Sequence, residues 1–453
     1  MKEKIASSIT LNLSKKQLFI SVLIFTTILV FDATVVKFSS YSGVKIPMWL
    51  NVMIFIIFST IFLISIPILL NYVRKTISRD LYQTVSTRLQ YFHYIISTIL
   101  IVTGSIILII IFQILVLNRY NLILLEVQTY FSYLSALIFL SFLVFLFVGW
   151  LIVKRNYIII LYTIAFSLAS VNLIVSLIYI QTYFSFSVLP DVKPYPITAY
   201  VVNIPGTVIT ESLSLAHDIL SLSSFLFMWV ATAILLSQYR YKMGKIRFFF
   251  LISIPLIYYI FPFQNYFGDI FFPLLFYSPV IFSVLYILIF SATKEVGAFL
   301  FGLSFWSASS LVHDERVKKS LLISFVGMVI LFCSIEISPL RSHVYPPYGF
   351  ITEAFLPVGA YLLLIGIFTS AKYISQDTRL RKEFYKSAET QLNLLKNIGV
   401  SQMEKEYEEK VKFLQEQFKS SQIREPELEE EHIKQILRDV LNELYYSKVK
   451  KGN

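Results

Sequence analysis

Apolar residues run without interruption through ten stretches of the chain, at roughly 18–36, 48–70, 94–117, 131–153, 157–180, 217–237, 248–264, 270–292, 320–337 and 351–373. About 18 to 20 apolar residues in a helix cross a hydrocarbon core of roughly 30 Å. Barrel strands would instead read as alternating segments of about ten residues, and these runs do not alternate. The pattern predicts an all-α fold: a polytopic helical membrane protein with about ten transmembrane helices over residues 1–373. The first run, "QLFISVLIFTTILVF", follows Lys15 and Lys16 as a signal peptide would. "DATVVK" offers no small-x-small cleavage site, so the run is read as a retained first helix.

Beyond residue 373 the period changes. Ile374, Leu380, Phe384, Ala388, Leu392, Leu395 and Ile398 recur mostly at spacings of three and four, and Met403, Tyr407, Val411, Leu414 and Phe418 continue the series. An apolar seam at that spacing, flanked by Lys and Glu, predicts a coiled-coil-like helix over 374–420. Its expected seam is Leu380, Phe384, Leu392, Leu395, Met403, Tyr407, Val411 and Leu414. Pro426 ends it, and "ELEEEHIKQILRDVLNELYYSK" predicts a separate amphipathic helix over 427–447. The stretch "LLLIGIFTSAKYISQDTRLRKEFYKS" holds no proline, and no glycine occurs between Gly366 and Gly399. The last crossing is therefore expected to run straight into the tail as one stiff helix, able to transmit rotation or displacement.

Composition agrees with the membrane reading: 56% apolar, 15% charged and a mean hydropathy of +0.70, where soluble domains carry about 25% charged residues. The tail from residue 371 is nearly neutral, with 16 basic and 15 acidic residues, which leaves 23 basic and 13 acidic in the preceding part. With ten crossings, 18 of those 23 basic residues fall on the side of the N-terminus and five (Lys37, Lys45, Arg119, Lys193, Arg341) on the other. By the positive-inside rule both termini are cytoplasmic, in a cell membrane, and the basic pI needs no nucleic-acid partner. One segment strains this count. "VGAFLFGLSFWSASSLV", 296–312, is barely long enough to cross, and a crossing there would invert all that follows. An interfacial or re-entrant helix is preferred; a single crossing over 248–292, broken by Pro255, Pro262 and Pro273, is the alternative.

The longest external connection is 181–216, rich in proline, where "ITAYVV" has the look of a short strand. A second, "SPLRSHVYPPYGF", covers 338–350. The chain has no phosphate-binding loop, zinc-protease, dithiol or nucleophile-elbow motif, and its five histidines are scattered without ligand spacing. No cofactor, metal or catalytic residue is indicated. Ionisable residues near membrane helices are the remaining candidates. Asp32, Glu126, Asp218, Glu336 and Glu353 are expected near the outer boundary, as an acidic rim with Glu211 and Asp269 suited to a cation, amine or peptide. The bland alternative pairs them with Lys37, Arg119 or Arg341 at the headgroups. Asn172 and Ser176, one turn apart, read as interhelical hydrogen-bonding residues.

"GAFLFGLSFW", "YPPYGFITEAFLPVGAYLLLIGIFTSA", "SQDTRLRK" and "NIGVSQMEKE" together resemble a group of uncharacterised archaeal polytopic membrane proteins with a helical C-terminal tail, over roughly the last 160 residues. The resemblance implies an archaeal membrane and the same tail arrangement, and no activity. On the sequence, the leading reading is a sensor or scaffold that relays a state of the membrane domain through its tail, either to a cytoplasmic protein or to a second copy of itself. A secondary transporter or channel for a small solute or ion is the alternative. Charged or discontinuous helices at the midplane would favour the alternative, and a long dimeric tail the first reading. A membrane-embedded transferase built on "HDER", 313–316, is a third reading, and a solvated loop explains that cluster.

Overall fold

The computed structural model describes residues 22, 26–32, 47–76, 86–185, 191–192, 208–237, 240–241, 244–257, 273, 276–286, 292–335, 345–377, 380–381 and 390–420. Helices dominate: α1 (Met48–Thr76), α2 (Ser86–Leu117), α3 (Leu122–Val153), α4 (Tyr157–Ser185), α5 (Val208–Leu236), α6 (Lys245–Ser253), α7 (Pro279–Tyr286), α8 (Ala292–Leu311), α9 (Glu315–Ser334), α10 (Phe350–Ala354), α11 (Leu356–Gln376) and α12 (Thr390–Ser420). Residues 26–32 are helical too, within the first expected crossing. Two compact units divide the chain, Met1–Met403 and Glu404–Asn453.

Seven of the described helices are long and apolar enough to cross a membrane, and they coincide with seven of the ten expected crossings. Of the other three, 18–36 falls largely outside the described residues, while 248–264 and 270–292 are described in part, through the short helices α6 and α7, neither of which is long enough to cross. An 18-residue apolar window is 22% buried in Met48–Arg74 and 100% buried in Phe350–Gln376, so the last crossing is the axis of the bundle and α1 is on its perimeter. Ile57, Ile64, Ile101, Leu108, Phe112 and Leu115 stand exposed on α1 and α2. An apolar face of that extent is stable against lipid and costly against water.

The central contact is α9 against α11. Where they meet, glycine removes the side chain: a Cβ on Gly327 would lie 2.4 Å from Leu363 N, and one on Gly359 would lie 2.6 Å from Leu331 N. Small residues of this kind let membrane helices approach backbone to backbone.

Three places add to or change these expectations. The 296–312 segment belongs to the twenty-residue α8, which packs antiparallel along α9, with Phe301 against Phe332 and Trp306 against Phe325 at 5.0 and 5.2 Å between ring centroids. Its Gly297 abuts Phe225 of α5, so α8 is packed into the bundle, which sets aside the interfacial half of the expectation and agrees with its re-entrant half. The described part of the loop at 338–350 folds onto the neighbouring helix ends. Tyr345 and Tyr348 are buried and donate to Ile114 O (3.3 Å) and Asn51 O (2.8 Å), because each phenol hydroxyl needs an acceptor once its ring is packed.

The third change is at the tail. α11 ends at Gln376, where Asp377 is extended (φ −98°, ψ 107°) and its carboxylate accepts from Leu380 N at 3.2 Å. An Asp that caps a new turn stops the old helix without proline or glycine. The single stiff helix from last crossing to tail is therefore not formed. Leu380 and Leu395 of the expected seam are buried within the first unit, which removes them from the face a second helix would use. Met403 is half-buried; in the second unit Val411 is half-buried and Tyr407 is 40% exposed. Phe384 and the side chains of Leu392 and Leu414 lie outside the described residues, as does the 427–447 helix. In the long connection, "ITAYVV" also lies outside them; Asp191–Val192 pairs antiparallel with Tyr120–Asn121.

Candidate ion site: a buried carboxylate pair

Two of the five expected acidic residues are brought together. Asp32 is 0% and Glu353 1% exposed. They are joined through the short helix α10, in which Thr352 and Glu353 are neighbours. Thr352 N donates to Asp32 Oδ2 at 3.0 Å, and the Thr352 hydroxyl lies 2.8 Å from the same oxygen and 3.1 Å from Leu29 O, one proton serving both acceptors. The Gly349 N–H also faces this carboxyl. On the other side, the Thr129 hydroxyl of α3 stands 3.2 Å from Glu353 Oε2 and 2.9 Å from Leu125 O.

The pair is short of donors. Asp32 Oδ1 and Glu353 Oε1 are buried with no hydrogen-bond partner, and Gln128 Oε1, on the residue before Thr129, is buried and unpartnered as well. Gln128 spends its amide N–H groups on Thr103 Oγ1 (3.0 Å) and Ser132 Oγ (2.8 Å). Among the described residues no Lys or Arg forms a salt bridge with either carboxyl. An isolated buried carboxylate is among the costliest groups a fold can hold, and it persists where a positive species meets it. No third His, Cys, Asp or Glu among the described residues completes a metal-binding group here.

Why these residues converge is legible in the local chain. The helix that begins at Phe350 stops after five residues, Phe355 turns with φ −82° and ψ −13°, and α11 restarts with Pro357 near its N-terminus. The break turns Thr352 N toward Asp32, since the first amides of any helix lack intrahelical acceptors. Phe62 of α1 packs edge-on against Phe355 at 4.5 Å, and Phe55 against Tyr348 at 6.3 Å, which closes the site from α1. Thr129 lies two turns inside α3, about 10 Å from that helix's start at 1.5 Å per residue. The two carboxyls are thus enclosed by neighbouring helices, close to the starts of α3 and α10, toward the helix ends where the sequence pattern expected an acidic rim.

Of the remaining rim residues, none that is described forms a hydrogen bond with the pair. Glu126 and Asp218 are half-buried, on α3 and α5, and Glu336 lies outside the described residues. The sequence pattern missed Thr352, Thr129, Gln128 and Thr103, and a hydroxyl or amide inside an apolar run was the available signal. It is a weak one, because most such hydroxyls bond their own helix, as Thr369 does to Ile365 O at 2.7 Å.

No protein-family model, curated protein or solved structure matches this chain.

Proposed function

We propose that the protein is a membrane transporter or channel whose transported or coupling species is a monovalent cation, the proton included, met inside the bundle by Asp32 and Glu353. The observation that carries this reading is the pair of enclosed carboxyls, each with one unpartnered oxygen and neither with a basic partner among the described residues. The broken helix α10–α11 beside them supports it, since discontinuous helices supply the polar ends that ion sites in transporters use. The archaeal cell membrane and the cytoplasmic placing of both termini belong to the same proposal.

Reconstituted into liposomes, the purified chain is expected to dissipate a potassium- or proton-driven gradient faster than empty vesicles. Asp32→Asn and Glu353→Gln keep the shape of each side chain and remove its charge, and each is expected to abolish the flux. Wild-type flux equal to that of empty vesicles, or undiminished flux in both variants, would overturn the reading.

A second reading, relay of a membrane-domain state to a protein partner or a second copy, draws on the separate compact unit Glu404–Asn453 and its exposed Tyr407. The break at Asp377 takes away the rigid lever on which that reading leaned. Truncation after Met403 separates the two: flux survives it under the first reading, whereas self-association or partner recruitment is lost under the second.

A further inference from the structure

The two carboxyls of the buried pair are not equivalent, and the difference is in the hydrogens that reach each. A threonine hydroxyl carries one hydrogen, and a main-chain carbonyl oxygen carries none. The Thr352 hydroxyl is nearer to Asp32 Oδ2, at 2.8 Å, than to Leu29 O, at 3.1 Å, and Thr352 N donates to the same Asp32 oxygen at 3.0 Å. At Glu353 the order is reversed. The Thr129 hydroxyl is 2.9 Å from Leu125 O, four residues back on its own helix, and 3.2 Å from Glu353 Oε2. Its hydrogen goes to the helix carbonyl, the common partner of a threonine inside a helix.

That count leaves Glu353 without a donor among the described residues. Thr129 Oγ1, its hydrogen already placed on Leu125 O, presents a lone pair to Glu353 Oε2. Two oxygens at that distance with no hydrogen between them repel, and a hydrogen on Oε2 turns the same contact into a hydrogen bond. A neutral acid also accounts for Glu353 Oε1, which is buried with no partner. An unpartnered carbonyl oxygen is far less costly to bury than an unpartnered carboxylate oxygen. Asp32 adds to this through the adjacent Thr352, since two neighbouring buried carboxyls do not both hold a charge.

We infer that Glu353 is a proton-binding site, protonated at rest with its hydrogen directed at Thr129 Oγ1, and that Asp32 is the ionised member of the pair. This rests on the reading of the pair as an ion site, and it names the ion as the proton. A proton needs a single oxygen and no cavity, so a closely packed site suffices for it. Binding converts the Glu353 carboxylate to the acid by forming one O–H bond, and release breaks that bond alone. The carboxylate left on release needs a donor, and Thr129 supplies one by turning its hydroxyl from Leu125 O toward Oε2. Thr129 is therefore a positioning residue that serves either state of Glu353.

The test uses the purified full-length chain in lipid vesicles at neutral pH and follows the infrared carbonyl stretch of a protonated carboxylic acid, which is distinct from the bands of a carboxylate. Carbon-13 at the glutamate side-chain carboxyl moves the band of a protonated Glu and leaves that of an Asp unmoved. The wild type is expected to show a band that moves with the glutamate label and is lost in Glu353→Gln. Thr129→Val, which removes the acceptor, should shift it, while Thr129→Ser, which keeps the hydroxyl, should leave it in place; a purely structural role for Thr129 would move neither. If Glu353→Gln does not fold, the label and the two Thr129 variants locate the proton. A glutamate band indifferent to Glu353→Gln and to Thr129→Val would place the proton on another residue, and a band that ignores the glutamate label would place it on an aspartate. Either result overturns the inference. Flux is measured separately across vesicles in choline medium free of alkali-metal ions, where a pH gradient alone should drive it; flux that requires sodium or potassium would overturn the assignment of the ion. Absence of all flux with the Glu353 band present would refute the transport reading and support the proton-binding site, so the two failures are distinguishable.

Discussion

Gly327→Ala is the substitution that most directly tests how the bundle is held. Its new Cβ would meet Leu363 N at 2.4 Å, Leu362 C at 2.9 Å and Leu362 Cβ at 2.9 Å. An ordinary carbon contact is roughly 3.5–4.0 Å, so α9 and α11 must separate by about 1 Å. The nearest obstacle is backbone, which no rotamer change can move aside. Both helices lie in the most buried part of the protein, at 89% and 100% of their apolar windows, so separation disturbs every helix packed around them. Overpacking of this kind costs about 1–3 kcal/mol. The control is Gly104→Ala, whose Cβ would meet only the Leu63 Cδ2 methyl at 3.3 Å; that methyl is the end of a flexible side chain, and a cost below about 0.5 kcal/mol is expected. Gly359→Ala needs the same separation, against Leu331 N at 2.6 Å. The double variant Gly327→Ala/Gly359→Ala should therefore cost less than the sum of the singles, since one displacement relieves both clashes. Unfolding of the purified variants by increasing SDS, followed by tryptophan fluorescence, gives the ranking. A Gly327→Ala midpoint equal to wild type, or a Gly104→Ala loss as large as that of Gly327→Ala, would refute the backbone contact.

Three further outcomes are expected. Trp150→Phe removes the Nε1–H that donates to Gln402 Oε1 at 3.0 Å, leaving a buried acceptor at a cost of about 1–3 kcal/mol; hydrogen exchange over 394–402 should rise, and unchanged protection would refute the contact. At Asp314, burial pushes the carboxyl up, but hydrogen bonds from the Arg316 side chain and from the Val317 and Arg316 amides outweigh it and hold it below its ordinary 3.8. That contribution is complete above pH 3.8 and fades as pH falls through the lower folded value. Asp314→Asn, which keeps the cap, should accordingly be less stable than wild type at pH 7 and converge with it only as pH falls below 3.8 and through the lower folded value; a gap that persists in stronger acid would show that charge is not the cause. Cys333 is 1% exposed and should resist maleimide in the native protein and react fully after denaturation; rapid native labelling would contradict the packing of α9.

The membrane class and seven of the crossings follow from uninterrupted apolar runs, and such runs need no tertiary information. A segment of about 20 apolar residues satisfies its own backbone as a helix and has no better place than lipid. The same logic failed at two particular places. The run after Gly366 reads as one helix because it lacks proline and glycine, yet Asp377 ends it through a side-chain cap that composition does not mark. Leu380 and Leu395 share a seam spacing that fits a coiled coil, but an apolar stripe says only that it will be buried, not against what; here both are buried within Met1–Met403, with Gly399 admitting Ile374 beside them.

For the candidate site, the sequence marked Asp32 and Glu353 as carboxylates at the ends of apolar runs. Tertiary structure alone decided that they meet. Residues 32 and 353 are more than 300 positions apart, and periodicity carries no information about which helices become neighbours. That choice was made by shape: glycines that let α9 and α11 touch, a five-residue helix that turns Thr352 toward Asp32, and tyrosines at 345 and 348 that fold inward to reach carbonyl acceptors. Hydropathy is a property of each segment by itself and is written in the chain. Proximity is a property of pairs, and close packing settles it only once the helices are assembled.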